Sequence, residues 1–243
     1  MHAVILSAGQ GKRLLPLTAD KPKCLLPFAG RTILEWQVRA LSAAGIEHIH
    51  VVTGFQAARV EEEARRLSAE LKVPVETRFN PFFGVADNLG SCFVVRDLLR
   101  GNGVIANGDT LFEPEIARRV LSAPSAQIRI TVDRKPAYDE DDMKVSLDGD
   151  RVLAVGKTLT PAQTQAESIG LLRFEAEGFA AFAEGVEEVL RRPDGLRRWY
   201  LSVVSELAAE GRVRMTSIEG LTWSEVDFPA DLARAEETAA KWR

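Results

Sequence analysis

Residues 6–25 read Leu6-Ser7-Ala8-Gly9-Gln10-Gly11-Lys12-Arg13-Leu14-Leu15-Pro16-Leu17-Thr18, then Ala19-Asp20-Lys21-Pro22-Lys23-Cys24-Leu25. Glycines after an apolar run let backbone N–H groups approach phosphate oxygens, and nearby cations neutralise them. Residues 1–31 contain Lys12, Arg13, Lys21, Lys23 and Arg31 against a single acid, Asp20, in a chain of formal charge −4. A basic loop on an acidic protein describes a focused anion site, or else a solvated run of charge. Two common phosphate loops are excluded. A P-loop needs Gly-x-x-x-x-Gly-Lys-Ser/Thr, a spacing that is absent. The dinucleotide fingerprint needs a third glycine where Leu14 stands.

Two acidic segments stand out downstream. Asn107-Gly108-Asp109 follows the apolar run Val104–Ala106, which puts Asp109 at the carboxyl end of a strand, where open α/β sheets bind ligands. Taken alone, Asp109 also reads as a turn residue. Glu225-Val226-Asp227 precedes the last helix, and Asp227 alone reads as an acid stabilised by that helix's dipole.

The elements that must hold these residues follow from periodicity. Ala3–Leu6, His48–Thr53, Val73–Phe79 and Val104–Ala106 are predicted strands. Between them, Thr32-Ile33-Leu34-Glu35 reads as a capping box opening a helix that stops at Gly45, Gln56–Leu71 as a charged helix, and Asn88–Leu99 as a third. Such alternation means βαβ units around a mostly parallel sheet. The second half changes character: Gln127–Asp133, Met143–Leu147, Val152–Val155 and Ser168–Phe174 read as strands, with Asp148-Gly149-Asp150 as a hairpin turn. Helices over Ala176–Arg191 and about Arg198–Glu210, a strand near Val213–Ile218, and a last helix with Pro229 in its first turn complete the chain. No linker or repeat divides it. The reading is a single domain over 1–243, with a nucleotide-binding half over about 1–125 and an acceptor-binding half over about 126–243.

Composition narrows the class. At 243 residues, 46% hydrophobic and 27% charged, the chain is that of an ordinary globular protein. No apolar run approaches the roughly 18 residues that span a bilayer, and an acidic whole argues against nucleic-acid binding. With two cysteines, Cys24 and Cys92, no disulfide framework is implied, and a reducing, cytoplasmic location is expected. Cys92 falls in an apolar helical pattern. His2, His48 and His50 have no metal-ligand spacing and read as packing or surface residues.

The string Leu-x-Ala-Gly-x-Gly-x-Arg-Leu-x-Pro-Leu-Thr with a downstream Pro-Lys resembles the signature of the sugar-nucleotidyltransferase superfamily. Later landmarks match along nearly the whole chain: Asn107-Gly108-Asp109, Asp142-Met143-Lys144-Val145 with Gly156-Lys157, Ser168-Ile169-Gly170-Leu171 and Glu225-Val226-Asp227. Within it, Asp87-Asn88-Leu89-Gly90-Ser91 and the short length most resemble the phosphocholine cytidylyltransferase-like branch. The resemblance implies a three-layer α/β/α, Rossmann-like fold with a mixed sheet and a β-rich insertion on the acceptor side.

Carried over residue by residue, it implies that Leu6, Ala8 and Gly9 line the nucleotide with main chain and that Gly11 lets the loop fold over the phosphates. Arg13 is expected to hold the β- and γ-phosphates, and Lys23 to contact the α-phosphate as charge builds there. Asn88, Ser91 and Asn107 belong to the nucleotide site, Asn88 doubling as a helix N-cap. Asp109 and Asp227 form the implied Mg²⁺ pair, since that ion takes one or two carboxylates plus phosphate oxygens and water. Arg13, Lys23 and Asp109 are then the catalytic set. On the acceptor side, Lys144 and Lys157 are expected at the phosphate and Glu225 near the acceptor's tail. Trp199, Tyr200 and Trp223 beside a carboxylate suit a cation.

The expected reaction is transfer of a nucleoside monophosphate, CMP from CTP, to a small phosphate monoester or phosphonate, with release of pyrophosphate. A sugar-1-phosphate nucleotidyltransferase using UTP, dTTP or GTP, and a catalytically silent nucleotide-sensing subunit, are the alternatives. The Trp-Asp pair that follows a tyrosine in the phosphocholine branch is not reproduced at Trp199-Tyr200-Leu201-Ser202. Other phospho-amines, phospho-polyols and phosphonates therefore remain open, as does a homodimer. No nucleic-acid or membrane partner is expected.

Overall fold

The computed structural model describes residues 1–242. Its elements begin with β1 (His2–Leu6), the short pair β2 (Pro27–Phe28) and β3 (Arg31–Thr32), α1 (Ile33–Ala43), β4 (His48–Thr53), α2 (Ala57–Leu71) and β5 (Val75–Phe79). There follow α3 (Asn88–Val94), β6 (Gly103–Asn107), β7 (Thr110–Phe112), α4 (Pro114–Ser122), β8 (Ile128–Asp133), β9 (Lys144–Asp148) and β10 (Arg151–Val155). The chain continues through β11 (Ala166–Phe174), α5 (Ala176–Leu190), α6 (Tyr200–Ala209), β12 (Val213–Ser217), β13 (Trp223–Glu225) and α7 (Asp231–Ala240).

The central sheet has nine strands in the order β5-β4-β1-β6-β11-β8-β12-β10-β9. Strands β5, β4, β1 and β6 are mutually parallel, as the βαβ pattern requires. Strand β11 enters antiparallel between β6 and β8 and makes the sheet mixed. Because β9 also pairs with the start of β11, the strands β11, β8, β12, β10 and β9 close a ring of pairings.

Alternation along β1 explains the layers. Ala3 and Ile5 pack with α1, α2 and α4 through Val38, Val60 and Ile116. Val4 faces the opposite side, with Leu89 of α3, Phe179 of α5 and Val204 of α6. Buried on both faces, this strand has the continuous apolar run expected of a parallel sheet sandwiched between helices.

Local chemistry departs from the sequence expectation at several points. At α1 the Thr32 hydroxyl accepts from the Glu35 N–H at 3.0 Å, but the Glu35 carboxylate turns to Arg39 (2.8 Å) and Arg66 (2.6 Å), so the capping box is half formed. Helix α3 ends at Val94, short of the expected Leu99, and a 3₁₀ turn over Arg96–Leu98 follows; the β-branched pair Val94-Val95 is a poor helix continuation. Asp87, not Asn88, holds the N-cap position of α3. Helix α7 starts at Asp231, two residues beyond Pro229, because the Asp231 carboxylate accepts from the N–H groups of Asp227 (2.9 Å) and Phe228 (2.8 Å) and fixes the turn ahead of it. Among the described residues no helix is long and apolar enough to cross a membrane.

Candidate active site

The glycine loop leaves β1 at the carboxyl end of the parallel strands. Its anchors are main-chain bonds: Gly108 N–H donates to the Leu6 carbonyl (3.0 Å), Ser7 N–H to Val52 (3.0 Å) and Phe55 N–H to Ala8 (2.9 Å). Among the described residues, the N–H groups of Ala8, Gly9, Gln10 and Gly11 find no acceptor. Four unpaired donors in sequence are the backbone cradle that an anion needs. Gly11 sits at φ +75°, and a Cβ there would lie 2.9 Å from the Lys23 Cβ, so only glycine lets the loop turn across Lys23. Thr18 closes the loop by donating its hydroxyl to the Gly11 carbonyl at 2.8 Å.

Lys23 emerges from a 3₁₀ turn over Lys23–Leu25, and its ammonium lies between two carboxylates, 2.8 Å from Asp109 Oδ2 and 2.5 Å from Asp227 Oδ1. Burial opposes its charge, but the two aspartates outweigh burial and hold its pKa above the ordinary lysine value. Arg13 reaches Asp227 Oδ2 at 3.3 Å, with its guanidinium over the Phe228 ring at 4.9 Å. The two aspartates are brought together by backbone register. Strand β13 pairs antiparallel with β7, Glu225 opposite Thr110, and Val226 N–H donates to the Asp109 carbonyl at 3.2 Å. Buried Gln37 of α1 braces the Asn107-Gly108-Asp109 turn by donating to the carbonyls of Asn107 (2.6 Å) and Thr110 (2.8 Å).

Asp109 Oδ1 is buried and, among the described residues, has no hydrogen-bond partner, and the facing Asp227 carboxylate supplies a second hard oxygen donor. That donor set fits a Mg²⁺ ion, which takes carboxylate oxygens and completes its shell with phosphate and water.

Three adjoining cavities meet around this cluster. The first, about 300 Å³, runs from Gly9, Gly11 and Lys23 past Asn107 and Asp109 to Phe83, Asp87, Asn88 and Ser91. A second, about 470 Å³, is lined by Asp133, Lys135, Glu167, Trp223, Glu225, Asp227 and Arg234, among others. A third, about 130 Å³, connects them through Asp109, Lys157, Trp199 and Glu225.

The remaining expected residues are distributed as follows. Leu6, Ala8, Asn88, Ser91 and Asn107 line the first cavity. Asn88 Oδ1 accepts from the Tyr200 N–H (2.9 Å), so it satisfies the start of α6 rather than capping its own helix. Ser91 Oγ accepts from Asn80 (3.1 Å), and Asn107 Oδ1 from the Tyr200 hydroxyl (3.1 Å). Glu225 lies at the junction of the second and third cavities, where burial, then the charges of Asp109 and Asp227, push its pKa up to about 8. Lys157 lines the third cavity, 3.1 Å from Asp141 and 4.8 Å over the Trp199 ring. Lys144 is not brought there: it is buried, and its ammonium donates to the Lys157 carbonyl at 2.9 Å, so it braces the neighbouring segment. Tyr200 is core, whereas Trp199 is 41% exposed beside the cavity.

Sequence reasoning assigned no role to Gln37, Lys135 or Glu167, and used Asp87 only as the start of the segment that carried the branch resemblance. Glu167 is buried and paired with Lys135 at 2.9 Å; burial, against that pairing and with the nearby Asp142 charge, pushes its pKa up to about 7. Its only sequence signal was its place one residue before the Ser168-Ile169-Gly170-Leu171 landmark.

A glycine-loop anion cradle opposite a carboxylate pair, at the carboxyl end of a mixed α/β sheet, defines a nucleotide-handling phosphotransfer fold. Residues 2–143 match the family described as nucleotidyl transferase, and the chain belongs to that family. It is 31% identical over 245 residues, 97% of its length, to the CMP-5'-(3-aminopropyl)phosphonate synthase of Streptomyces rubellomurinus, but spans only 38% of that relative's own length. It is 25% identical to the CTP:phosphoglutamine cytidylyltransferase of Campylobacter jejuni, covering 96% of this chain and 98% of that one. The inositol-1-phosphate CTP transferase of T. maritima shares the fold with a TM-score of 0.80 at 20% identity, over 98% of this chain and 95% of the other.

Proposed function

We propose that the protein transfers CMP from CTP to a small phosphate monoester or phosphonate carrying an amine, releasing pyrophosphate. The observation that carries this reading is the Lys23 ammonium held between Asp109 and Asp227 where the cavities meet. In the reaction an acceptor phosphate or phosphonate oxygen forms a bond to the α-phosphorus in line, and the bond from that phosphorus to the pyrophosphate oxygen breaks. No side-chain nucleophile is needed; position and charge neutralisation supply the acceleration. The unpaired N–H groups of Ala8–Gly11 and the Arg13 guanidinium receive the triphosphate. Lys23 supports the α-phosphoryl oxygens. Asp109 and Asp227 would hold Mg²⁺, which when bound neutralises phosphate charge.

The preference for cytosine rests on Asp87. It lines the first cavity, and it makes no capping bond although it occupies the N-cap position of α3. The side-chain oxygens of Asn88, Ser91 and Asn107 already accept other bonds. Asp87, which makes no side-chain hydrogen bond of its own among the described residues, offers an acceptor to a base's exocyclic amine. Cytosine presents such an amine, whereas uracil and thymine present a carbonyl at the same position. Partial burial raises the Asp87 pKa.

The amine on the acceptor is supported by the second cavity, where Asp133, Asp141, Asp142, Glu167 and Glu225 outnumber Lys135 and Arg234 beside Trp223. The two relatives named for aminopropylphosphonate and phosphoglutamine act on compounds of that kind. A pyrophosphate-release screen crossing CTP, UTP, dTTP and GTP with phospho-amines, phospho-polyols, phosphonates and hexose 1-phosphates tests the proposal. Turnover with CTP and an amine-bearing acceptor is the expected result. Efficient use of a hexose 1-phosphate with UTP or dTTP, and none with CTP, overturns it.

A further inference from the structure

We propose that His48, His50 and Glu76 form a binding site for one divalent transition-metal ion of the Zn²⁺ kind, apart from the catalytic cavity. His48 and His50 are two apart on β4 and so share one face of the sheet. Glu76 of β5 lies directly opposite His50 in the parallel register. One ligand atom from each of the three residues falls within 4.8 Å of the others. Glu76 Oε2 is 3.1 Å from His48 Nε2 and 3.7 Å from His50 Nδ1. Ligands at zinc distances of about 2.0–2.2 Å in a tetrahedron stand about 3.3 Å apart, so both separations are close to what one ion between them would set. His48 Nε2 is buried and makes no hydrogen bond, even with Glu76 so near.

Two imidazoles and a carboxylate are the donors of a zinc-type ion with a water in the fourth position, and they discriminate against Mg²⁺, which prefers oxygen. His2, beside His48 in register, is not one of the three residues whose ligand atoms lie together, and its ring stacks on Phe179 at 5.5 Å. The site also lies at the start of β4, whereas the catalytic cavity begins at Leu6, at the far end of the neighbouring parallel strand β1. Its consequence is mechanical. Among the described residues strand β5 is the sheet edge and pairs only with β4, so an ion bridging the two strands clips the edge in place.

The test is calorimetric titration of the chelator-stripped full chain with ZnCl₂, in excess Mg²⁺ to keep Zn²⁺ off Asp109 and Asp227. One Zn²⁺ per chain at micromolar concentration is expected, with a rise in Tm of about 5 °C at saturation. His48→Gln and Glu76→Gln, both at partly exposed side chains, should each weaken binding by about tenfold or more and leave nucleotidyl transfer unchanged. Co²⁺ should give the intense visible absorption of a tetrahedral site, lost in His48→Gln. Absence of saturable binding, binding unchanged in both variants, or binding lost instead in Asp109→Asn would overturn the proposal.

Discussion

Lys23 Nζ lies 2.5 Å from Asp227 Oδ1, so the cation expected at the α-phosphate is, without ligand, the counter-ion of the two carboxylates proposed to hold the metal. The same ammonium contacts Asp109 at 2.8 Å. If Asp109 and Asp227 hold Mg²⁺ as proposed, metal and lysine compete for the same oxygens until the nucleotide brings phosphate for both. Lys23→Met should bind Mg²⁺ about tenfold more tightly in the nucleotide-free enzyme, yet turn over about a hundredfold more slowly. Calorimetry and pyrophosphate release measure the two effects. Weakened Mg²⁺ binding, or a change confined to KM, would show that Lys23 does not act in this way.

The carboxylate pair gives the second expectation. Asp109→Ala and Asp227→Ala should each reduce turnover at least a hundredfold, while circular dichroism stays that of the folded chain, since neither side chain is in the apolar core. Normal turnover in both, or undiminished activity in EDTA, is the contrary result.

Asp87→Asn isolates base selection. Its amide can present either an acceptor or a donor, so the CTP-over-UTP ratio of kcat/KM should fall by about tenfold or more. If the wild type prefers CTP and the variant keeps the same ratio, the base is read elsewhere. If the wild type prefers UTP, the cytidylyl reading itself is wrong.

Glu167 adds a pH dependence. Its pKa in the folded chain, about 7, is raised from 4.5, so the native state holds this proton more tightly than the unfolded chain does. Its contribution to stability is complete below about 4.5 and is lost as pH rises through 7. The Tm of wild type should therefore fall relative to Glu167→Gln between pH 5 and 8, on the order of the shift window set by linkage. Parallel Tm curves for the two proteins would show that Glu167 titrates normally.

What was legible in the sequence follows from the range of each interaction. Strands such as Ala3–Leu6 and His48–Thr53 announce themselves through local apolar runs, and Gly11 through a loop that only glycine can turn. The phosphate loop was readable for the same reason. Glu167 was silent because its meaning depends on Lys135, which reaches it from a different strand's end. Gln37 drew no reading in the sequence because its amide gains its meaning only from the distant carbonyls of Asn107 and Thr110. His48 and His50 have no ligand spacing along the chain because the third donor, Glu76, comes from the next strand. Lys144 misled in the opposite direction, since matching a motif said nothing about where its ammonium would point. Strand β7 was passed over because three residues are too few to show an alternation.

The β7–β13 ribbon has a bearing on how the protein reaches its working state. Asp109 and Asp227 come from segments far apart in sequence and are set side by side by that ribbon rather than by the nine-stranded sheet. A refolding intermediate could complete the sheet and both helical layers, and regain most of its ellipticity, before the ribbon zips. It would still lack a paired carboxylate site. Return of activity during refolding would then lag behind return of secondary structure, and the lag would time the docking of one small, late-closing clasp.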